Sequence, residues 1–225
     1  MKQENILSTA LKDFPAVDHS RAMHLFTDYY RELVSWNQKI NLISRNDEHR
    51  IITRHFLESL GFLKHFEFPL NASVLDLGSG AGFPGIPLAI IRPDLHITLV
   101  EATKKKAEFL QEISRKLSLN TIRVKNRRME EITETLESIH IIVCRSVASL
   151  SKLYRWSRPC LEQSGGRLVT VKGEQYKKEL TILLKQIKPD RGIEYTIKSF
   201  DPFPDLYSIR QCYLVIINFR GRNNT

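Results

Sequence analysis

The chain has 225 residues, of which 42% are hydrophobic and 26% are charged, values typical of a globular protein with one substantial core. No stretch approaches the roughly 20 apolar residues that cross a bilayer, and the first residues do not resemble a secretion signal. The three cysteines lack the spacing of a disulfide framework or a zinc site. We therefore expect a cytoplasmic protein with no membrane association and no bound metal.

The charge is strongly basic, with 34 Lys plus Arg against 25 Asp plus Glu and a formal net charge of +9. Such an excess indicates either a polyanionic partner or a basic solvated surface. Nine basic residues and only two acids fall within residues 102–128. This concentration favours nucleic acid binding, with Arg123, Lys125 and Arg127 as candidate phosphate contacts.

The first 70 residues show helical periodicity and no strand pattern. Apolar residues recur at spacings of four and three over residues 22–40, which predicts one helix, and Ser20 is its candidate N-cap. A second helix is predicted over residues 48–60, ending at Gly61. We therefore expect a helical N-terminal cap over residues 1–70.

From residue 72 the pattern changes to short apolar runs that alternate with amphipathic stretches. The five runs that predict strands are residues 73–77, 96–100, 121–124, 139–144 and 167–171. This alternation is typical of a doubly wound α/β fold, in which a mostly parallel sheet carries helices on both faces. Residues 193–200 and 209–219 predict an antiparallel hairpin at the end of the sheet. The second domain is expected to span residues 71–220.

A glycine-rich loop, residues 78–85, directly follows the first predicted strand. Glycines let the backbone turn sharply and approach a ligand, and the helix that follows points its free N–H groups at the same crevice. In a doubly wound sheet the loop would lie where the strand order reverses, which is the usual ligand site.

The loop spacing also matches a nicotinamide dinucleotide fingerprint, with Glu101 placed 19 residues after Gly82. Asp76 distinguishes a nicotinamide dinucleotide from S-adenosylmethionine, because a carboxylate repels pyrophosphate but suits the cationic amino group and sulfonium of S-adenosylmethionine. Glu101 could accept hydrogen bonds from ribose hydroxyls in either case. We therefore predict S-adenosylmethionine, with Asp76, Gly78, Gly80 and Glu101 in its site.

Residues 74–82 (VLDLGSGAG) resemble the first motif of class I methyltransferases. The resemblance implies a Rossmann-like, mostly parallel seven-stranded sheet and an acid near the adenine after the third strand, a place that Glu130 could fill. From the sequence alone, Glu130 is equally well explained as a solvated acid in the first turn of a helix.

The segment after the fourth strand, residues 143–149 (VCRSVAS), stands where many methyltransferases place their substrate motif. It lacks the Asp/Asn-Pro-Pro-aromatic motif of enzymes that methylate exocyclic amino groups. Cys144 is not preceded by proline and is expected to face the core, which argues against a cysteine nucleophile. Arg145 remains, and because an unpaired buried cation is costly we expect it to reach the open crevice.

The whole pattern is similar to one family, the small-subunit ribosomal RNA methyltransferase G proteins, also called glucose-inhibited division protein B, which methylate ring nitrogen 7 of one guanosine in 16S rRNA. The segments that carry the resemblance are residues 36–42 (WNQKINL), 54–59 (RHFLES), 78–87, 144–149 (CRSVAS) and 171–173 (VKG). The chain departs from the family at Glu58, where Asp is common, and at Val147, where an aromatic is common.

The resemblance implies that Gly78, Phe83, Met129, Glu130 and Arg145 contact the cofactor. For Phe83 the alternative is a core aromatic. Candidate contacts to RNA phosphate or to the guanine edge share a basic or imidazole side chain: Arg54, His55, Arg145 and Lys172. For His55 the alternative is a satisfied, partly buried histidine.

Ring nitrogen 7 of guanine carries a lone pair and no proton, so its methylation needs alignment and no general base. Arg145 is therefore expected to position the reactants. The alternatives are a methyltransferase for another RNA, a protein or a small molecule and, more remotely, a nicotinamide oxidoreductase or a non-catalytic RNA binder. The expected partner is 16S rRNA or the small ribosomal subunit, bound by a monomer.

Overall fold

The computed structural model describes residues 3–131, 139–187, 193–207 and 211–221. Helices α1 (Gln3–Leu11) and α2 (His19–Asn37) open the chain. A 3-10 turn (Arg45–Arg50), a π-helical turn (Ile52–Leu57) and α3 (Glu58–His65) complete the N-terminal cap. Residues 3–65 thus contain the predicted helical segment before the first strand. The division of the chain into domains at residue 70 stays a prediction.

Two details of the cap differ from the sequence prediction. Asp18, not Ser20, caps α2, because its backbone is extended and its side chain accepts the N–H of Arg21 at 3.0 Å. The second helix does not end at Gly61, which lies inside α3. A Cβ on Gly61 would stand 2.6 Å from the ring of Phe200, so this glycine permits close packing and does not end the helix.

The sheet has seven strands in the order β3-β2-β1-β4-β5-β7-β6. Their bounds are β1 (Ser73–Leu77), β2 (His96–Val100), β3 (Ile122–Lys125), β4 (Ile141–Arg145), β5 (Arg167–Gly173), β6 (Glu194–Ser199) and β7 (Cys212–Asn218). The first five run parallel, and β7 is antiparallel to both β5 and β6. The predicted doubly wound sheet with a C-terminal antiparallel hairpin is confirmed.

Four further helices cover the two faces of the sheet: α4 (Gly85–Ile91), α5 (Lys104–Lys116), α6 (Leu150–Ser164) and α7 (Tyr176–Gln186). Alternate strand residues point to opposite faces. Val74 and Val143 pack with α4, α5 and the cap, whereas Leu75 and Ile142 pack with α6 and α7. The cap therefore shares one hydrophobic core with the first face of the sheet.

The order in which successive strands join the sheet reverses at β1, which pairs with β2 on one side and β4 on the other. The carboxyl ends of β1 and β4 therefore flank the crevice in which such sheets bind ligands. Within the described ranges, no helix is both long and apolar enough to span a membrane. The same residues contain no cluster of three or more side chains arranged to hold a metal ion.

Candidate functional site

The glycine loop joins β1 to α4 and takes a conformation that requires glycine at several positions. Gly78, Gly80 and Gly82 have φ of 69°, 58° and 99°, in the left-handed region that disfavours other residues. A Cβ on Gly80 would meet nothing closer than a backbone oxygen at 4.0 Å, whereas one on Gly78 would lie 3.0 Å from Val147. The backbone around Gly80 thus faces open space, as a ligand cradle requires.

Glu101, directly after β2, holds this loop in place. Its Oε2 accepts the N–H of Gly80 at 3.0 Å, and its Oε1 accepts the N–H of Thr103 at 2.7 Å. Each carboxylate oxygen has a second lone pair, so Glu101 can still accept hydrogen bonds from vicinal hydroxyls. The expected ribose contact is compatible with this geometry and stays a prediction.

Asp76 lies beneath the loop and is fully buried. Its Oδ2 accepts the N–H of Gly85 at 2.9 Å, while its Oδ1 has no hydrogen-bond partner among the described residues. Burial raises the pKa of Asp76 to about 7, against the opposing effect of the Gly85 hydrogen bond. A buried carboxylate with a free oxygen is costly unless a donor or a cation approaches it. The site therefore fits a ligand with a cationic group.

Arg145, the last residue of β4, was predicted to reach the open crevice. Instead its side chain is only 11% exposed. One terminal nitrogen, Nη1, donates to the carbonyl of Arg54 at 2.5 Å and to Oε2 of Glu58 at 2.8 Å. The other, Nη2, lies 2.7 Å from Nδ1 of His55. The prediction was wrong because the cap supplies a buried partner that makes a buried cation tolerable.

Glu58 is the acid at the centre of this cluster, and it was not among the site residues predicted from the sequence. Its other oxygen, Oε1, accepts from Nη1 of Arg54 at 2.8 Å. Burial raises the pKa of Glu58, and the charges of Arg145 and Arg54 oppose that rise. The one local signal for this arrangement was the four-residue spacing of Arg54 and Glu58, which favours contact on a helix.

His55 and Phe83 stack face to face next to Arg145, with ring centroids 4.8 Å apart. Burial, followed by the charges of Arg145 and Arg54, lowers the pKa of His55 to about 3, so the ring is neutral. Because Nδ1 receives an N–H from Arg145, the proton of His55 resides on Nε2, which is buried without a partner in the described structure. Phe83 is buried in the core, and its cofactor contact stays a prediction.

Lys172, near the end of β5, supports the segment that follows β4. Its Nζ donates to the carbonyl of Ala148 and lies 2.9 Å from Glu179. Glu179 in turn accepts the N–H of Leu150, the first residue of α6, at 2.8 Å. Lys172 therefore anchors this segment, and a direct substrate contact by Lys172 stays a prediction.

The remaining candidates lie along β3 and the turn after it. Arg123, Arg127 and Glu130 are exposed, and Lys125 is half-buried. The side chain of Met129 lies outside the described part of the structure. Lys125 is the last residue of β3, so it and Arg127 lie at the carboxyl ends of the parallel strands, as Glu101 does.

Cys144 is fully buried in the core on the second face of the sheet, as predicted. Burial raises the pKa of its thiol to about 12. A thiol that stays protonated is not a nucleophile, so the site does not support cysteine-based methyl transfer.

Two solved structures show the class of fold. Precorrin-6y C5,15-methyltransferase from Geobacter metallireducens matches with a TM-score of 0.52 at 13% identity, over 81% of this chain and 92% of that chain. Ribosomal protein L11 methylase from Lactobacillus delbrueckii subsp. bulgaricus matches with a TM-score of 0.52 at 17% identity, over 73% and 77%. The architecture, with the glycine loop and its two acids, is that of a class I methyltransferase.

The family model for rRNA small subunit methyltransferase G matches residues 22–205. Two proteins named ribosomal RNA small subunit methyltransferase G are close relatives. The one from Chlorobium chlorochromatii is 37% identical over 86% of this chain and 81% of its own length. The one from Roseiflexus castenholzii is 41% identical over 71% and 69%. The chain therefore belongs to the rRNA small subunit methyltransferase G family and is an S-adenosylmethionine-dependent methyltransferase.

Proposed function

We propose that this protein methylates ring nitrogen 7 of a specific guanosine in 16S ribosomal RNA. The observation that carries the proposal is the family match over residues 22–205, together with a site in which, among the described residues, neither His55 nor Cys144 is placed to act as a general base. His55 is neutral but already accepts from Arg145, and Cys144 is buried. Nitrogen 7 has no proton to remove, so a site built on alignment suffices for it.

The residues that would hold S-adenosylmethionine belong to the glycine loop, to the acids of β1 and of the segment after β2, and to the segments at the ends of β3 and β4. They are Asp76, Gly78, Gly80, Phe83, Glu101, Met129, Glu130 and Arg145. The free Oδ1 of Asp76 and the open backbone at Gly80 support this assignment. When bound, S-adenosylmethionine supplies an electrophilic methyl group next to a positive sulfur.

On the acceptor side, Arg145 would place the guanine, because guanidinium donors match the O6 and N7 acceptors of its major-groove edge. Arg54 and His55, which contact Arg145, and Lys172, near the carboxyl end of β5, would contact the nucleotide or its phosphates. Arg123 and Lys125 on β3, and Arg127 in the turn after it, would bind RNA phosphates. Such contacts add affinity without reading sequence.

The test is nucleoside analysis by mass spectrometry of 16S rRNA incubated with the purified protein and S-adenosylmethionine, using naked RNA and intact small subunits from cells that lack the gene. We expect one new 7-methylguanosine per molecule. Methylation at another atom, or of no nucleoside in either substrate, would contradict the proposal. Action as a monomer in the cytoplasm is part of the same proposal, and light scattering of the purified protein tests the first point.

A further inference from the structure

A buried ion-pair cluster joins the cap to the carboxyl end of β4. Both oxygens of Glu58 are committed, Oε1 to Arg54 and Oε2 to Arg145, each at 2.8 Å. The side chain of Glu58 is 11% exposed, so solvent does little to replace these contacts. Glu58 is therefore not free to bind a ligand itself and acts on the two arginines.

The guanidinium of Arg145 is held on one side only. Its hydrogen bonds to Glu58, to the carbonyl of Arg54 and to His55 use three of the five N–H donors of an arginine. The other two have no partner within the described residues. Its face also lies 5.4 Å from the ring of Phe83, in the glycine loop. Arg145 is thus fixed by the cap and retains donors for a ligand.

We propose that Glu58 is a positioning residue for methyl transfer, which holds Arg145 in the orientation that presents its remaining donors to the acceptor base. The proposal rests on the proposed function. One carboxylate between two guanidinium groups leaves the cluster with a net positive charge, which suits the acceptor-rich edge of guanine. Without that carboxylate the two guanidinium groups would repel each other, and Arg145 would lose its fixed orientation.

The first measurement compares Glu58→Gln and Glu58→Asp with the wild type in single-turnover methylation of 16S rRNA. We expect Glu58→Gln to slow the step about 100-fold, on the scale of misalignment effects, with a much smaller loss of S-adenosylmethionine affinity, because the other cofactor contacts remain. Glu58→Asp keeps the charge and should restore part of the rate. The matched control is Glu162→Gln, which breaks the Glu162–Arg158 pair on α6 and should not change the rate.

A double-mutant cycle with Arg145→Lys tests whether Glu58 acts through Arg145. If it does, Glu58→Gln should cost much less in the Arg145→Lys background than in the wild type. Equal costs in both backgrounds would overturn the proposal. So would a loss of S-adenosylmethionine binding that accounts for the whole loss of rate, because that is what a purely structural role predicts.

A second readout needs no activity. In ¹⁵N NMR the guanidinium N–H signals of Arg145 should exchange slowly with water in the wild type and in Glu162→Gln, and rapidly in Glu58→Gln. Where Glu58→Gln does not fold, Glu58→Asp, whose shorter side chain should loosen the pair with Arg145, is expected to give exchange faster than the wild type. A wild type that methylates no rRNA would refute the proposed function, whereas unchanged Arg145 signals would refute the role of Glu58.

Discussion

The hydroxyl of Tyr29 donates a hydrogen bond to the carbonyl of Ala81 at 2.5 Å, which ties a cap helix directly to the glycine loop. Tyr29 is fully buried, and its ring stacks on Phe56, with centroids 5.2 Å apart. A Cβ on the next residue, Gly82, would lie 2.9 Å from the same hydroxyl. The cap therefore fixes the loop conformation and does more than cover the sheet.

The first prediction concerns this bond. Tyr29→Phe leaves the buried carbonyl of Ala81 without its donor, so the free energy of unfolding should fall by about 1–2 kcal/mol. S-adenosylmethionine should bind several-fold more weakly, because the loop is less firmly held. Urea unfolding and calorimetry measure the two effects. Tyr30→Phe removes a hydroxyl from the adjacent, half-buried residue and is the control. An equal effect of both changes would contradict a specific role for the Tyr29 bond.

Local periodicity predicted the sheet well. The bounds of β1 and β2 agree with the apolar runs at residues 73–77 and 96–100, because each run is short, buried and bounded by turn residues. The cap was predicted less well. One helix was expected at residues 48–60. A 3-10 turn ends at Arg50, and the π-helical turn Ile52–Leu57 runs directly into α3 (Glu58–His65), so the buried face of Ile52 and Phe56 was predicted but the start, the end and the π turn were not.

That Asp76, Glu101 and the glycines lie together was predictable, because the glycine loop directly follows the strand that carries Asp76, and Glu101 follows the next strand along the chain. The partners of Arg145 were not, because Glu58 lies 87 residues away in the chain and no local pattern connects the two. The same holds for the role of Lys172, whose contact with Ala148 depends on how β5 and α6 are packed. Ion pairs formed by tertiary structure leave no periodic signal in the sequence.

The second prediction concerns Asp76 and pH. The folded-state pKa of about 7 is above the unfolded value, so the native state binds the extra proton between about pH 4 and 7. In the absence of cofactor, the contribution of this group to stability is therefore full at low pH and is lost as the pH rises through 7. The loss accumulates between about pH 4 and pH 7 and should be on the order of 4 kcal/mol.

Asp76→Asn keeps the shape and removes the titration. The variant should be more stable than the wild type at pH 8, this advantage should be clearly smaller at pH 5, and the variant should bind S-adenosylmethionine more weakly. Urea unfolding at both pH values and calorimetry at pH 8 measure these effects. Asp205→Asn, a change at an exposed carboxyl, is the control. The same stability difference between variant and wild type at both pH values would show that Asp76 does not titrate in this range.

The third prediction concerns the basic residues after β3. Lys125→Ala with Arg127→Ala should weaken binding to 16S rRNA, because two phosphate contacts are lost. Each lost contact lowers the slope of log affinity against log salt by roughly 0.7 to 0.9. The double variant should thus reduce the slope by about 1.5. The control is Arg167→Ala with Arg220→Ala, which removes equal charge near the amino end of β5, where Arg167 pairs with Asn218 of β7. If both double variants change the slope equally, net charge and not this surface determines binding.

The last prediction separates the structural role of Arg145 from its chemical role. Arg145→Met leaves Glu58 buried with one partner fewer and removes the donor from His55, so the free energy of unfolding should fall by about 3 kcal/mol. Adding Glu58→Met removes the stranded carboxylate and should recover much of that loss, since apolar pairs often replace buried ion pairs well. Arg54, with 32% of its side chain exposed, can then be solvated.

Neither variant should methylate 16S rRNA at more than about 1% of the wild-type rate, because the guanidinium of Arg145 is no longer there to align the guanine. Urea unfolding and single-turnover methylation measure the two properties on the same samples. A stable double variant with a near-normal rate would show that Arg145 only joins the cap to β4.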